Sequence, residues 1–201
     1  MRVENWMERD FSTIDKGATV RKAKEYLEEE GTPFLIVVDE KGKFEGILDK
    51  NSLINTFGDE EIEEYLTLLP ITAMENDYLE EIAMLMMDNH IPILPVVDDD
   101  EKVIGVITDF EILNALLELS GIEEHGIRIT VNLKDKPGEL KKVLDILSAH
   151  SLNVISVLTY RRSQSKRTVM IRVSGNSVEE IARILKANEI DYEDVSEDFQ
   201  I

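Results

Sequence analysis

The sequence contains no cysteine among its 201 residues. That absence excludes a disulfide framework, a thiolate nucleophile and any metal site built on cysteine ligands. The sequence also lacks an apolar run long enough to span a membrane, and its start, "MRVENWMERD", lacks the apolar core of a signal peptide. We therefore expect a globular protein with a cytoplasmic location and no membrane partner.

Positive charge is scarce in the first 120 residues, where 10 Lys and Arg stand against 29 Asp and Glu. From residue 121 onward the balance is 12 against 13. So acidic a segment repels nucleic acid at long range, and we expect no nucleic-acid partner. The change in charge also indicates a boundary between modules near residue 121.

Signals of catalysis are also missing. The three histidines, His90, His125 and His150, are scattered, and no nucleophile stands at motif spacing from a base. There is no glycine-rich phosphate loop either. The sequence therefore predicts a protein that is not an enzyme.

An internal repeat is present. Shifting the sequence by 59 positions aligns "TPFLIVVDEKGKFEGILDKNSLIN" with "IPILPVVDDDEKVIGVITDFEILN" without a gap. Each copy reads as a short extended piece, a helix, two apolar strands joined by a turn, and a closing helix at "NSLINTF" or "FEILNALLEL". One copy alone would expose much apolar surface, so the two should pack as a pair. Met84, Met86 and Met87 are interpreted as core side chains of a helix.

The stretch "GVITDFEIL" permits two interpretations. Thr108 and Glu111 have the spacing of a capping box, in which each side chain bonds a backbone amide of the first helical turn. A hydroxyl and a carboxylate so placed would also suit a sugar phosphate, and the two roles can coexist. The equivalent positions in the first copy are Asp49 and Ser52, with the order of carboxylate and hydroxyl reversed. Asp49 is itself a good N-cap.

The order of strand, helix, "PVVD"-like strand and "G-x-[IVL]-[ST]-x-x-D" strand resembles the CBS-domain family, whose members occur as tandem pairs, or Bateman modules. The resemblance covers roughly residues 3 to 119. It implies a sensor that requires no cofactor and binds an adenosine nucleotide (AMP, ADP or ATP) or another adenosyl compound such as S-adenosylmethionine. The implied nucleotide-binding residues are Thr13, Pro33, Asp49, Ser52, Ile71, Thr72, Ile91, Pro92, Thr108 and Glu111.

The second copy is the better preserved of the two implied sites. Glu111 keeps a carboxylate where the family has aspartate, whereas Asp49 places a negative charge where a phosphate would lie. Because the acidic module supplies little positive charge, a nucleotide is expected to need Mg²⁺ as a bridge. An uncharged or cationic adenosyl ligand would avoid that need.

From Gly126 the pattern changes to strand, helix, strand, strand, helix, strand, which is the ferredoxin-like order. The strands are "IRITVNL", "NVISVLTY", "RTVMIRVS" and "IDYEDV", and the helices lie in "KPGELKKVLDILSAHS" and "SVEEIARILKANE". The polar turn "RRSQSK" brings Arg161, Arg162, Lys166 and Arg167 close together. This turn is either a solvated hairpin, a contact for anions, or a surface that docks the acidic pair of another subunit.

The stretch "DKPGEL" resembles the D-x-P-G-x-L motif of the ACT-domain family, and the match runs from about Ile127 to Val195. The resemblance implies an amino-acid effector site shared with a neighbouring subunit. Its residues here would be Asp135, Pro137, Gly138, Glu139, Leu140, Asn153 and Val154. Pro137 suits a first helical turn, and free amides there attract a carboxylate. Ordinary turn chemistry also explains the "PG" pair and Asn153.

The sequence thus predicts an α/β (α+β) chain with a CBS domain at 3–58, a second at 65–120 and an ACT domain at 126–196. We expect a homodimeric allosteric regulator that binds small-molecule effectors and acts on a partner enzyme. The CBS–ACT order resembles the acetoin-utilisation (AcuB) family, which implies a link to acetoin metabolism. The alternative is an adaptor with degenerate ligand sites that acts by protein–protein contact.

Overall fold

The computed structural model describes residues 1–56, 58–69, 71–175 and 177–197. The chain divides into two compact units, Met1–Asn114 and Ala115–Ile201. Within the described residues, no helix combines the length and the apolarity needed to cross a membrane.

The first unit holds two similar three-stranded sheets, one from each copy of the repeat. The elements of the first copy are β1 (Thr13–Asp15), α1 (Val20–Glu29), β2 (Phe34–Val38) and β3 (Phe44–Asp49). Those of the second are β4 (Ala73–Met74), α2 (Leu79–Asn89), β5 (Ile93–Val97), β6 (Val103–Thr108) and α3 (Asp109–Ser120), whose residues from 115 onward belong to the second unit. In both sheets the first strand pairs parallel with the second, and the second pairs antiparallel with the third. The predicted order of the strands and of the first helix in each copy is confirmed.

The closing helix of the first copy differs from the prediction. After β3 the chain forms only a 3-10 turn, Lys50–Leu53, whereas α3 runs for 12 residues. The sequence after Leu53 reads "INTFGDE", which is poor in helix formers and includes Gly58 at φ +96°. Phe57, predicted in this helix, lies outside the described residues.

A leading segment precedes each copy, residues 1–12 and 60–69, and each one packs on the opposite copy. Glu8 and Val106 exchange two backbone hydrogen bonds of 2.9 Å, and Thr67 and Ile47 exchange two of 2.8 and 3.0 Å. Thr67 is the repeat equivalent of Glu8, and Ile47 is the equivalent of Val106, each at an offset of 59 residues. Each leading segment therefore makes the same contact with the other copy. The side chain of Ile62 is fully buried in the core of the first copy.

This crossing explains the glycine that both copies share in the third strand. A Cβ built at Gly105 would lie 2.8 Å from Met7 Sδ and 3.0 Å from the carbonyl oxygen of Glu8. At Gly46 it would lie 3.3 Å from both Leu66 Cβ and the Thr67 carbonyl oxygen. The glycines are needed because the opposite leading segment passes directly over each strand, not because of an unusual φ angle.

Apolar side chains from both sheets pack against each other in one cluster. Its buried members are Ile36 and Ile47 from the first sheet and Ile93 and Val106 from the second. At the hairpin ends, the Lys43 amine lies 2.6 Å from Glu101 Oε2, and this hydrogen bond raises the pKa of Lys43. The two copies therefore form one body.

The second unit contains β7 (Ile127–Lys134), α4 (Glu139–Ala149), β8 (Val154–Ser163), β9 (Lys166–Val173), α5 (Val178–Ala187) and β10 (Tyr192–Glu197). Its antiparallel sheet has the strand order β10-β7-β9-β8, which confirms the ferredoxin-like prediction. Alternate residues of β7, such as Ile127 and Ile129, pack in a core with Val143 and Leu147 of α4 and Ile181 of α5. The basic turn is tighter than predicted, because β8 continues to Ser163 and places Arg161 and Arg162 in a strand.

The methionines of α2 are not all core residues. Met86 is buried, as predicted, but Met84 and Met87 are 61% and 70% exposed, so the prediction is wrong for those two. Phe110 and Leu113 at the start of α3 are also largely exposed. The first unit therefore presents apolar side chains on both helices of its second copy.

Candidate functional site

The capping box predicted in "GVITDFEIL" is confirmed. Glu111 Oε2 accepts a hydrogen bond from the Thr108 amide at 2.8 Å and a short one from the Thr108 hydroxyl. Thr108 Oγ1 in turn accepts from the Phe110 amide at 3.1 Å. The end of β6 and the start of α3 are thus joined by a hydroxyl and a carboxylate that hold each other.

Thr108 and Glu111 also leave one carboxylate oxygen available to a ligand. Both bonds use Oε2 of Glu111, and in the described part of the chain Oε1 makes no hydrogen bond. Thr108 pairs in register with Ile93, which directly follows Ile91 and Pro92. Pro92 is exposed and Ile91 is buried. The structure therefore brings four of the predicted residues, Ile91, Pro92, Thr108 and Glu111, to one edge of the second sheet.

The equivalent edge of the first copy is built differently. Asp49 Oδ1 accepts from the Asn51 amide at 2.8 Å, and the Ser52 hydroxyl donates to the Asp49 carbonyl at 2.7 Å. The Lys50 amide donates to the Pro33 carbonyl at 2.9 Å, so Pro33 lies beside the motif. Here both side chains serve the local turn, with the hydroxyl directed at a backbone carbonyl and not at the carboxylate.

The remaining predicted residues of the CBS pair lie on or beside the first strands. Thr13 opens β1, is exposed and pairs in register with Ile36. In the strand order β1-β2-β3 it lies two strands from Asp49, which is roughly 10 Å across a sheet. Ile71 and Thr72 directly precede β4 and are half-buried. Thr13 therefore shares a sheet with Asp49 from two strands away, and Ile71 and Thr72 lie directly before the sheet that ends at Thr108.

Among the described residues, no metal site is preformed. Within the described ranges, no group of three or more histidine, aspartate or glutamate side chains is arranged to hold a metal ion. A bridging Mg²⁺ would therefore need oxygens from the nucleotide itself.

The "DKPGEL" loop leads into α4 as predicted, but the helix begins later in the loop than predicted. The helix begins at Glu139, with Gly138 as its N-cap at φ +88°, so Pro137 lies before the helix and not in its first turn. No atom lies within 4 Å of a Cβ built on Gly138, and no side chain caps the helix. Lys142 hydrogen-bonds Glu139 and holds the pKa of that carboxyl below its usual range. Open amides of this turn, such as that of Leu140, suit a carboxylate ligand.

The carboxylate of Asp135 is already engaged. Its Oδ1 accepts a hydrogen bond from Arg167 Nε at 3.1 Å, and its Oδ2 accepts one from Arg161 Nη2 at 3.4 Å. Arg162 reaches Glu193 Oε2 at 2.6 Å. The hairpin arginines thus bind carboxylates of their own unit, and Asp135 fixes the loop to the hairpin.

The two halves of the predicted effector site lie at opposite ends of the ACT sheet. Val154 pairs with Val173, and Val173 pairs with Ile127 at the start of β7. Asn153 directly precedes Val154, so it lies at the same end of the sheet. Asp135 follows the last residue of β7, roughly 24 Å away along the strand. One chain therefore cannot place Asn153 beside Gly138.

Sequence reasoning missed two basic clusters. Lys24 and Lys50 line a cavity of about 250 Å³ in the first unit, and the Lys24 amine donates to the Thr56 carbonyl at 2.6 Å. In the second unit, Arg128 and Arg172 line a cavity of about 180 Å³. In the sequence, each cluster shows only as basic residues at positions that should face away from the core, which is ordinary for a surface.

Comparison with protein families divides the chain into two similar domains followed by a different third one, as the repeat and the fold do. Residues 3–59 and 62–118 each match the CBS domain, and residues 125–196 match the TTHA0829-like ACT domain. The two CBS matches together take in more than half of the chain.

Individual proteins are similar over the CBS region. A homoserine O-acetyltransferase of Methanococcus vannielii is 32% identical over 120 residues, which are 57% of this chain and 24% of that protein. The matches cover between 20% and 45% of the length of such curated relatives, so this chain spans less than half of each.

Three solved structures are similar at a comparable level. A CBS domain pair/ACT domain protein from Thermotoga maritima is 29% identical with a TM-score of 0.54, covering 59% of this chain and 98% of that one. CBSX2 in complex with AMP is 25% identical with a TM-score of 0.54, covering 58% and 96%. A CBS domain pair in complex with 5′-methylthioadenosine and S-adenosyl-L-methionine is 27% identical with a TM-score of 0.52, covering 58% and 95%.

Proposed function

We propose a function from the premise that this chain belongs to the CBS-domain family, as a tandem CBS pair followed by a C-terminal ACT domain. The chain is a non-catalytic regulator whose CBS pair binds an adenosine nucleotide or another adenosyl compound. Similar structures with AMP and with S-adenosylmethionine support this ligand class. The observation that carries the proposal is the contact of Thr108 with Glu111 beside Pro92 at the edge of the second sheet.

Binding takes place in the second copy. Oε1 of Glu111 accepts a ribose hydroxyl, while the Thr108 hydroxyl leaves Oε2 and donates to the ligand. The first-copy positions Thr13, Pro33, Asp49 and Ser52 contribute less, because Asp49 and Ser52 hold the local turn. A phosphorylated ligand brings Mg²⁺ with it, since the closing motif has no basic side chain of its own.

The variant Glu111→Gln tests the ligand role separately from capping. Glutamine also closes a capping box, so the helix start should be retained while the negative charge is lost. A hydrogen bond to a charged group contributes about 1.5–3 kcal/mol, so we expect affinity for AMP or S-adenosylmethionine to fall about tenfold or more. Isothermal titration calorimetry of the full chain, with and without Mg²⁺, measures this.

The matched control is Asp49→Asn at the equivalent first-copy position. It should leave affinity within twofold, because Asp49 serves a turn. Equal affinity of the parent chain, Glu111→Gln and Glu111→Ala would restrict Glu111 to capping. Absence of thermal stabilisation by every adenosyl compound tested would favour the adaptor function instead.

The ACT domain binds an amino acid between two chains of a homodimer. The Gly138 loop of one chain and Asn153–Val154 of the partner form the site, because the two lie at opposite ends of one sheet. The ten-residue β8 is an edge strand, and unpaired edges readily accept a second strand. The exposed Met87, Phe110 and Leu113 add apolar surface that a second copy would cover.

Subunit complementation tests the shared site. Gly138→Val should block the open turn, and Asn153→Ala should remove the partner's contribution, so neither homodimer should be stabilised thermally by its amino-acid effector. A mixture of the two variants, unfolded together and refolded, forms heterodimers with one intact site. Such mixtures should recover binding in roughly a quarter of the original sites by random pairing. The proposal would be contradicted if no amino acid stabilised the parent chain, or if the mixture did not recover binding. A parent chain that is monomeric by light scattering would contradict it as well.

Other parts of the function remain predictions from the sequence. They are a cytoplasmic location, a link to acetoin metabolism, the domain bounds 3–58, 65–120 and 126–196, and a regulated partner enzyme. The adaptor alternative is favoured by one observation, the turn-bound Asp49 and Ser52 of the first copy.

A further inference from the structure

The ACT sheet has a second face, opposite the one covered by α4 and α5. Ile127 and Ile129 are buried in the helix-side core, so Arg128 between them points to the opposite face. Arg128 pairs in register with Arg172 of β9, which places two guanidinium side chains directly across from each other. Like charges in this arrangement destabilise a sheet, so the position favours an anion between or beside them.

Arg172 is held firmly in place. It is only 6% exposed and donates a short hydrogen bond to the Ser120 carbonyl at the end of α3. The Ser156 hydroxyl donates to the same carbonyl at 2.6 Å. A helix C-terminus carries partial negative charge, which accounts for the position of Arg172.

Arg128 is more open. Its side chain is 45% exposed, and the nearby Asp194 carboxylate lies 3.9 Å away, at the limit of an ion pair. Arg128 also donates to the Ser196 hydroxyl, at 3.3 Å. Both contacts are on the β10 side, so they leave donors of Arg128 available to a ligand.

A cavity of about 180 Å³ adjoins the two arginines. Apolar side chains of Ile122, Leu158 and Met170 line it, and its described lining contains no carboxylate. The volume equals that of about six liquid waters, which suits a small molecule of about four to six carbons. Without a carboxylate in the described lining, a ligand ammonium group would have no anionic partner there.

We propose that this cavity binds a short branched or linear monocarboxylate without an ammonium group, with its carboxylate on Arg128 and its alkyl chain against Ile122, Leu158 and Met170. The site is separate from the predicted effector loop, because Arg128 lies near the start of β7 and the loop follows its end. The proposal is independent of nucleotide binding by the CBS pair. It adds a second class of effector for the ACT domain.

Calorimetric titration of the full chain with 3-methylbutanoate tests the proposal. We expect saturable binding that Arg128→Gln weakens about tenfold or more. Leu158→Trp should also abolish binding, because the larger ring fills the space for the alkyl chain. The matched control Lys134→Gln removes the same charge from the far end of β7 and should leave affinity unchanged.

Two related compounds identify the recognised groups. The neutral 3-methylbutanamide should bind at least tenfold more weakly, and so should valine, which adds an ammonium group. No saturable binding of 3-methylbutanoate, equal losses from Arg128→Gln and Lys134→Gln, or valine binding as tightly as the acid would each overturn the proposal.

Discussion

Ile62→Ala should destabilise the first unit by about 2–5 kcal/mol, the usual cost of truncating a fully buried isoleucine. Ile62 belongs to the leading segment of the second copy, yet its side chain packs with Leu27 and Leu48 of the first. Its amide also donates to the Ala18 carbonyl at 3.1 Å. The lost contacts are therefore those between a leading segment and the opposite copy.

Urea unfolding followed by fluorescence measures this effect, because the single tryptophan, Trp6, lies in the first unit. The control is Leu68→Ala, in the same leading segment but 73% exposed, for which we expect a change within about 0.5 kcal/mol. Similar losses for the two variants would mean that the leading segment is not anchored through Ile62. The transition of this unit must be analysed separately, since two units need not unfold together.

The repeat at an offset of 59 residues was enough to predict the strands of both copies and their common order along the chain. It could not predict the crossing of the leading segments, because Glu8 and Thr67 align equally well whether each stays with its own copy or exchanges. Aligning the two copies shows which positions are alike. It does not show which copy each leading segment packs on. The shared Gly46 and Gly105 were visible in the alignment, but their reason, a backbone 3.0–3.3 Å from a built Cβ, requires coordinates.

In the ACT domain, the period-2 alternation of "IRITVNL" predicted the strand, and the structure shows that Ile127, Ile129 and Val131 form its buried face. The same alternation placed Arg128 on the other face, but its neighbour Arg172 comes from β9 and depends on register. The role of Asp135 was likewise hidden, because its partners Arg161 and Arg167 are 26 and 32 positions away. Local pattern thus determines which face a side chain occupies, while long-range pairing determines what it meets there.

Gly105→Ala should destabilise the first unit by about 1–3 kcal/mol, the cost of overpacking a site that cannot relax freely. The new methyl group would lie 3.0 Å from the Glu8 carbonyl oxygen, a backbone atom that bonds Val106 in the adjacent ladder position. Movement of Met7 alone could relieve the contact with its sulfur, but not the contact with this carbonyl. The leading segment would have to shift and strain its two hydrogen bonds.

Gly46→Ala is the matched control, because the same pair of contacts is 3.3 Å there. A shift of a few tenths of an ångström would accommodate that methyl group. Alanine also stabilises the folded state by about 0.4–1 kcal/mol, because it lowers the conformational entropy of the unfolded chain. The two effects oppose each other, so we expect little net change at Gly46 and a clear loss at Gly105. Both values come from the same fluorescence-detected urea unfolding. Equal losses would show that the two crossings are equally tight, and a gain in stability at Gly105 would show that the segment over it yields freely.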